Sequence, residues 1–164
     1  MIGRALGAKV IGVDVRVEAL DCARALGATH VLNASQQRQI VEAIQDLTGG
    51  GAHVSLDALG SRATCRNSVE CLRKRGRHVQ VGLMLADDRD ASLPMNLVIA
   101  RELEILGSHG MPAHAYIEVF DLIRAGSLQP KLLVGRTVAL DEAPAELAAM
   151  SQFNSLGATV IDRF

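Results

Sequence analysis

The sequence is poor in aromatic residues, cysteine and proline, and each shortage excludes a class of protein. Aromatics make up 2% of the 164 residues, with no Trp, so aliphatic side chains must fill the core. Three cysteines, Cys22, Cys65 and Cys71, are too few and too irregularly spaced for a disulfide framework. The formal net charge of −1 argues against a general polyanion binder, so we expect no nucleic-acid partner.

Long apolar runs are missing as well. No uncharged stretch approaches the roughly 20 residues of a membrane span, and Arg4 and Lys9 interrupt any signal-peptide core. We therefore expect a cytoplasmic protein with no membrane partner. Hydrophobic residues are nonetheless 49% of the chain, and 15 glycines stand against four prolines, which predicts a globular fold with many tight turns.

Short β-branched runs alternate with amphipathic segments along most of the chain. The sequence Arg-Ala-Leu-Gly-Ala occurs at residues 4–8 and 24–28, and each copy precedes a short strand, as if a helix ended at the glycine. Strands alternating with helices predict an α/β fold with a doubly wound parallel sheet. The predicted strands are residues 9–14, 29–33, 54–56 (expected to be buried), 76–82 and 103–107. In the tail, residues 132–140 are expected to be extended and 158–162 to form a final strand.

The helices carry expectations about caps and burial. Ser61 is expected to cap a helix at its N-terminus. A helix over residues 112–124 is expected to turn Tyr116, Phe120 and Ile123 inward, and Asp141 is expected to cap a short helix in the tail. His78 falls in a strand and is expected to be a tolerated core or edge residue.

Ligands of open α/β sheets bind at the carboxyl ends of the strands. This rule selects Asp14, residues 58–60, residues 82–83 and residues 108–110. Asp14 is the most informative, since an acid that ends the second strand of a dinucleotide fold accepts hydrogen bonds from the adenosine ribose and repels the 2′-phosphate of NADP. A solvated turn acid is the alternative interpretation of Asp14.

The glycine loop that should accompany Asp14 is not in the sequence. A GxGxxG motif is expected roughly 20 residues before such an acid, after a strand. Only thirteen residues precede Asp14, so residues 1–6 are interpreted as the back half of the first helix. The expected fold is therefore a Rossmann-like sheet without its first strand.

An ordered set of short motifs resembles the medium-chain, zinc-dependent alcohol dehydrogenases. The motifs, from first to last, are Arg4-Ala-Leu-Gly-Ala-Lys-Val-Ile-Gly-Val-Asp14, Ala25-Leu-Gly-Ala28, Asp57-Ala-Leu-Gly60, Gly76-Arg-His-Val-Gln-Val-Gly82, Gly107-Ser-His-Gly110 and Gly157-Ala-Thr-Val-Ile-Asp162. The resemblance covers essentially the whole chain and corresponds to about the carboxyl-terminal half of such an enzyme. It departs at Arg73-Lys-Arg75, where the family often has Pro-Gly, and a surface turn is expected there.

The resemblance implies a chain that binds NAD and serves hydride transfer between an alcohol and NAD. It implies a dinucleotide-binding domain over residues 1–131 and a segment over 132–164 that returns to the catalytic domain. The implied contacts run from the adenosine ribose and adenine, through the pyrophosphate, to the nicotinamide and its carboxamide. In that order the residues are Asp14, Arg16, Leu59, Gly60, Gly82, Leu83, and the Ser108-His-Gly110 backbone.

Zinc and the proton relay belong to the family's amino-terminal half, and no residue here matches them. A catalytic zinc needs three converging protein ligands, whereas His109 and His114 form only a local pair, which Pro112 separates. We therefore expect no metal ligand and no catalytic residue in this chain, no alcohol oxidation by it alone, and weak or no NAD binding.

Two other functions stay open at this point. One is a non-catalytic, truncated module for dinucleotide binding or dimerisation. The other is a zinc-free quinone or enoyl reductase of the same superfamily, against which Asp14 counts because those enzymes often use NADP. The strand Leu103-Glu-Ile-Leu-Gly107 would be an apolar sheet edge, and such edges recruit another chain. We therefore expect a homodimer through this strand.

Overall fold

A computed structural model of the chain describes residues 1–152 and 155–164. Helices and strands alternate through most of it, as the sequence pattern predicts. The helices are α1 (Ile2–Ala5), α2 (Val17–Ala25), α3 (Ile40–Thr48), α4 (Arg62–Glu70), α5 (Met95–Ala100), α6 (Tyr116–Arg124) and α7 (Ala143–Ala149). The strands are β1 (Ile11–Asp14), β2 (His30–Asn33), β3 (Ala52–Asp57), β4 (Leu72–Gln80), β5 (Glu104–Gly107), β6 (Val134–Ala139) and β7 (Ala158–Arg163).

Every strand pair that the structure records is parallel, which confirms the predicted α/β class. The strands form three sheets, with the orders β1-β2, β3-β4-β5 and β6-β7. Helical crossovers join consecutive strands of the first two sheets, as parallel pairing requires. No helix in the described part of the chain is long and apolar enough to cross a membrane.

The chain separates into two compact units. The first comprises Met1–Gln36 and Pro112–Phe164, and the second comprises Gln37–Met111. The three-stranded sheet, with α3, α4 and α5, lies wholly in the second unit. The division of the fold near residue 131, which the family resemblance implies, stays a prediction.

The core of the second unit lies between α4 and strands β3 and β4. Cys65, Val69 and Leu72 are buried there. Ser61 is the N-cap of α4: its hydroxyl accepts the Thr64 N–H, and the Thr64 hydroxyl accepts the Ser61 N–H. The predicted cap is confirmed. Because both ends of this capping box are satisfied, the helix start is fixed directly after the β3–α4 turn.

Strand β3 corrects the expectation of an apolar buried strand. Its buried side chains are Ser55 and Asp57, whereas Val54 and Leu56 are 51% and 65% exposed. Since successive side chains of a strand face opposite sides, the face toward α4 is the polar one. The Ser55 hydroxyl donates to the Ser68 carbonyl of α4, which satisfies it there.

The surface turn expected at Arg73-Lys-Arg75 is present in a different form. Residues 73–76 bulge out of β4, because Ala52 pairs with Leu72 and Val54 already pairs with Arg77, so the expected surface turn is a strand bulge.

Two expectations about helices are wrong. Tyr116 and Phe120 do not face inward, since both are about half exposed. Asp141 is not the cap of α7: the Glu142 carboxylate instead accepts the Ala139 N–H at 2.8 Å.

Candidate functional site

The turn after β3 is built around the carboxylate of Asp57, which is only 3% exposed. Its Oδ1 atom accepts the backbone N–H groups of Leu59 and Gly60 at 3.0 and 3.1 Å. Its backbone carbonyl accepts the N–H groups of Val81 and Gly82 at 2.9 and 2.8 Å. A single aspartate therefore holds the end of β3 and the end of β4 together.

Hydrogen bonds keep Asp57 ionised despite its burial. Burial raises the pKa of the carboxyl, but the amide of Gln80 and the N–H groups of Gly60 and Leu59 outweigh that effect, and the pKa lies below its ordinary value. The Thr64 hydroxyl also lowers the pKa, so the buried negative charge is held by backbone, amide and hydroxyl donors.

Gly60 and Gly82 lie against each other with no room for side chains. A Cβ atom on Gly60 would overlap the Leu83 carbonyl, and one on Gly82 would overlap the Gly60 nitrogen. Gly60 also has a φ of +85°, a region that residues with a Cβ rarely adopt. Glycine is therefore required at both positions, and the turn presents bare backbone at the carboxyl edge of the sheet.

Gln80, the last residue of β4, joins the remaining elements of this edge. Its side-chain amide donates to Asp57 Oδ2 and to the Gly82 carbonyl, each at 2.9 Å. Its backbone carbonyl accepts the Ser108 N–H at 2.9 Å, which fixes the residue that follows β5. The ends of β3, β4 and β5 thus meet at one residue.

The second unit contains most of the predicted cofactor residues. Leu59 and Leu83 are 61% and 65% exposed, whereas Gly60 is buried beneath them. Gly110 is exposed, with a φ of +67° and open space where a side chain would stand. The structure therefore brings Gly60, Gly82 and Ser108 together and leaves Gly110 on the loop beyond.

The other two predicted residues, Asp14 and Arg16, lie in the first unit. Asp14 ends β1 beside Asn33 of β2, is half-buried, and accepts the Arg16 N–H on Oδ1 at 2.9 Å. The Arg16 guanidinium reaches the Ser155 carbonyl at 3.5 Å. Asp14 therefore lies at the carboxyl end of its strand, as the sequence predicts.

The residues that the structure describes do not form a metal centre. In the described part of the chain, no group of three or more His, Cys, Asp or Glu side chains converges as ligands. Burial raises the pKa of the Cys71 thiol to about 11 and also raises that of Cys65, so both are neutral thiols in the core. We therefore derive no chemistry through zinc from these residues.

A cavity of about 370 Å³ lies in the first unit, and Ser155, whose carbonyl accepts from the Arg16 guanidinium, is one of its lining residues. Its lining includes the ion pair between Arg136 and Glu146, together with Gly135 and Thr159. None of the eight residues predicted to contact a cofactor lines it.

Sequence reasoning missed the polar group behind the turn, namely His78, Gln80 and the carboxylate role of Asp57. A signal was present. Ser55 and Asp57 on β3, and His78 and Gln80 on β4, are polar at alternate positions, so each pair shares one face of its strand. Two paired strands with polar residues on one buried face predict a hydrogen-bonded network there.

Comparisons with known proteins agree on one family. The family model described as zinc-binding dehydrogenase matches residues 1–125. An NAD-dependent alcohol dehydrogenase of Sulfurisphaera tokodaii is 33% identical over 94% of this chain and 43% of its own length. A 2-haloacrylate reductase of a Burkholderia species is 30% identical over 96% of this chain and 49% of its own length.

Solved structures give the same result. The benzyl alcohol dehydrogenase of Acinetobacter calcoaceticus matches with a TM-score of 0.85 and 28% identity, over 98% of this chain and 44% of that protein. An alcohol dehydrogenase of Thermus sp. ATN1 matches with a TM-score of 0.82 and 29% identity, over 98% and 46%. The chain thus spans less than half the length of these relatives. Because the family model covers most of its residues, the chain belongs to the zinc-binding dehydrogenase family.

Proposed function

We propose that the chain binds NAD and serves an oxidoreductase that interconverts small alcohols with aldehydes or ketones. The observation that carries this proposal is the edge formed by Gly60, Gly82 and Ser108, where backbone from three parallel strands meets under one buried aspartate. Cofactors of open α/β sheets bind at this edge. The name of the Sulfurisphaera relative, an NAD-dependent alcohol dehydrogenase, supports the choice of ligand.

The residues of the chain fit a dinucleotide in three ways. The Asp14 carboxylate would accept hydrogen bonds from the adenosine ribose, with Arg16 beside the adenine. The Gly60 and Gly82 turns, bordered by Leu59 and Leu83, would let the cofactor approach bare backbone. The Ser108 and Gly110 backbone would meet the carboxamide. When bound, NAD supplies the hydride acceptor, and an alcohol that loses a hydride and a proton becomes an aldehyde or ketone.

The preference for NAD over NADP tests this proposal most simply. The dissociation constants of the 164-residue chain for the two cofactors are measured by ligand-observed NMR, which detects millimolar affinities. We expect binding weaker than micromolar, with NAD preferred, because the Asp14 charge repels a 2′-phosphate. Asp14→Asn should reduce the preference by about fivefold, since removing one charge near the phosphate is worth about 1 kcal/mol.

Asp21→Asn is the matched control. Asp21 is an exposed acid of the same unit, paired with Arg24 on α2 rather than placed at a strand end. This variant should leave the preference unchanged. Tighter binding of NADP than NAD by the unmodified chain, or equal effects of the two substitutions, would contradict the role of Asp14.

We also propose that the protein is a homodimer joined along β5. This strand pairs with β4 on one side, and its side chains Ile105 and Leu106 are 37% and 44% exposed. An apolar edge strand is a template for a second copy. Light scattering should give twice the chain mass, and Leu106→Lys should shift it to the monomer. A monomer at high concentration of the unmodified chain would refute this.

A reductase acting on an activated double bond is the second candidate. It is favoured by the similarity to the 2-haloacrylate reductase. The cofactor experiment separates the two candidates, since a preference for NADP would favour the reductase. The expected cytoplasmic location stays a prediction, supported by three cysteines that are free thiols.

A further inference from the structure

His78 lies behind the two turns that carry Gly60 and Gly82, and it is not itself one of the residues predicted to contact a cofactor. Its side chain is 1% exposed, in the middle of β4 between Ser55 of β3 and Ile105 of β5. Nδ1 lies 2.9 Å from the Ser68 hydroxyl of α4, and Nε2 lies 3.2 Å from Gln80 Oε1. A buried imidazole with both nitrogens engaged is part of a network rather than packing alone.

The network fixes which way the Gln80 amide points. Its nitrogen faces two acceptors, Asp57 Oδ2 and the Gly82 carbonyl, and the first of these is an ionised carboxylate. The reverse orientation would set the amide oxygen against both. Gln80 Oε1 must therefore face His78, where it can only accept a hydrogen bond.

The orientation of Gln80 determines the tautomer of His78. Because Gln80 Oε1 accepts, His78 Nε2 must carry a proton, and in the neutral ring Nδ1 is then an acceptor for the Ser68 hydroxyl. One chain of hydrogen bonds thus runs from α4, through β4, to the carboxylate that holds Leu59 and Gly60.

We propose that His78 is a positioning residue of the dinucleotide site, whose Nε2–H holds the Gln80 amide so that it clamps Asp57 to the Gly82 carbonyl. The proposal rests on the proposed function for the identity of the ligand, but the clamp itself is a property of the chain. Without the donor at Nε2, Gln80 Oε1 is a half-buried acceptor that has lost its hydrogen bond to His78, and the amide is less firmly held in its orientation.

The charges around His78 are consistent with a neutral ring. Burial lowers its pKa below the ordinary value, while the Gln80 contact and the charge of Asp57 act in the opposite direction. Other titratable groups on the adjoining elements are the neutral thiols of Cys65 on α4 and Cys71 directly after it, and Glu104 on β5, which is paired with Arg77. The remaining ones are His53 on β3 and, on α4, Arg62 and the ion pair of Arg66 with Glu70.

Two variants of His78 separate positioning from packing. His78→Met fills much of the space but has no donor, whereas His78→Gln keeps a donor that can reach Gln80. Amide hydrogen exchange at Leu59 and Gly60 is measured in each full-length chain, relative to the global exchange of β4. We expect His78→Met to speed exchange at these two amides by about tenfold or more, and His78→Gln to restore most of the protection.

A matched control uses the other histidine of the same strand pair. His53→Gln removes an exposed ring that contacts Arg73 at the opposite end of β3 and should leave both amides unchanged. In the unmodified chain, the ¹⁵N spectrum of His78 should show a protonated Nε2 and an unprotonated Nδ1. The Nδ1–H tautomer, or equal loss of protection in His78→Met and His78→Gln, would overturn the proposal, and the spectrum decides it even where a variant fails to fold.

NAD titration of the same samples keeps the two proposals distinguishable. His78→Met should weaken NAD binding by several-fold, and His78→Gln should not. If the unmodified chain binds no NAD while the tautomer and the exchange pattern are as expected, the proposed function fails and the clamp stands. If NAD binds and both His78 variants bind it equally well, His78 does not position this site.

Discussion

Asp14 and Asp57 make the same local contact and serve different ends. Each ends a parallel strand, and each accepts on Oδ1 the backbone N–H of the residue two positions later, at 2.9 and 3.0 Å. Asp57 is buried and also binds the Gly60 N–H and the Gln80 amide, whereas Asp14 is half-buried. Position at a strand end selects both acids as candidates, and burial distinguishes them: the less buried one, Asp14, is the one that we propose serves a ligand.

The largest effect should come from filling the contact between the two glycine turns. Gly60→Ala should lower the free energy of unfolding by about 3 kcal/mol, because its Cβ would overlap the Leu83 carbonyl at a positive φ. Gly107→Ala is the control, since a Cβ there meets nothing within 4 Å. Urea unfolding followed by circular dichroism measures both. Similar midpoints for the two variants would refute the close approach.

The next effect compares the two aspartates directly. Asp57→Asn should cost about 2 kcal/mol of unfolding free energy, because its amide group would face the Gln80 amide and leave buried donors opposed. Asp14→Asn should cost less than about 0.5 kcal/mol, since the retained oxygen still accepts the Arg16 N–H at a partly exposed site. The same urea experiment decides this, and a larger loss for Asp14→Asn would reverse the comparison.

The smallest effects concern the pH dependence of stability, which tests the buried network of His78 and Asp57 in the second unit. The pKa of His78 is lowered in the folded chain, so its contribution to stability is complete above its ordinary value of 6.5 and is lost as pH falls below it. The lowered pKa of Asp57 likewise gives stability that is complete above 3.8 and is lost below. Urea midpoints from pH 7.5 to 3 should therefore fall in two steps.

His78→Gln should remove the upper of the two steps, and Asp57→Asn the lower one. Neither step should change in Asp14→Asn, because that carboxylate is not part of the buried network. A single step near pH 4 in the unmodified chain would show that the buried histidine does not couple to folding.

The sequence predicts the α/β alternation and the Ser61 cap well, because local patterns determine them, whereas the strand predicted over residues 76–82 lies at Leu72–Gln80. Glycines at residues 60 and 82 mark the turns, and the acid of Asp14 ends its strand as expected. The burial of Ser55 and Asp57 was not predicted, since an apolar interpretation of β3 favours Val54 and Leu56 as the core. His78 was expected at the core or the edge of the sheet, and the structure buries it. Which face of a strand is buried depends on the helix packed against it, and that is a property of the tertiary fold.

The proposal that the chain binds NAD is tested most directly by an amide-resolved NMR titration of the 164-residue chain with NAD. We predict saturable shifts at Gly60, Gly82 and Ser108 of the second unit and, as a separate expectation, at Asp14 and Arg16 of the first. Gly49 and Gly50, which end α3 away from the carboxyl edge, should not shift. Shifts that are absent at the five residues, or as large at Gly49 and Gly50, would contradict the account.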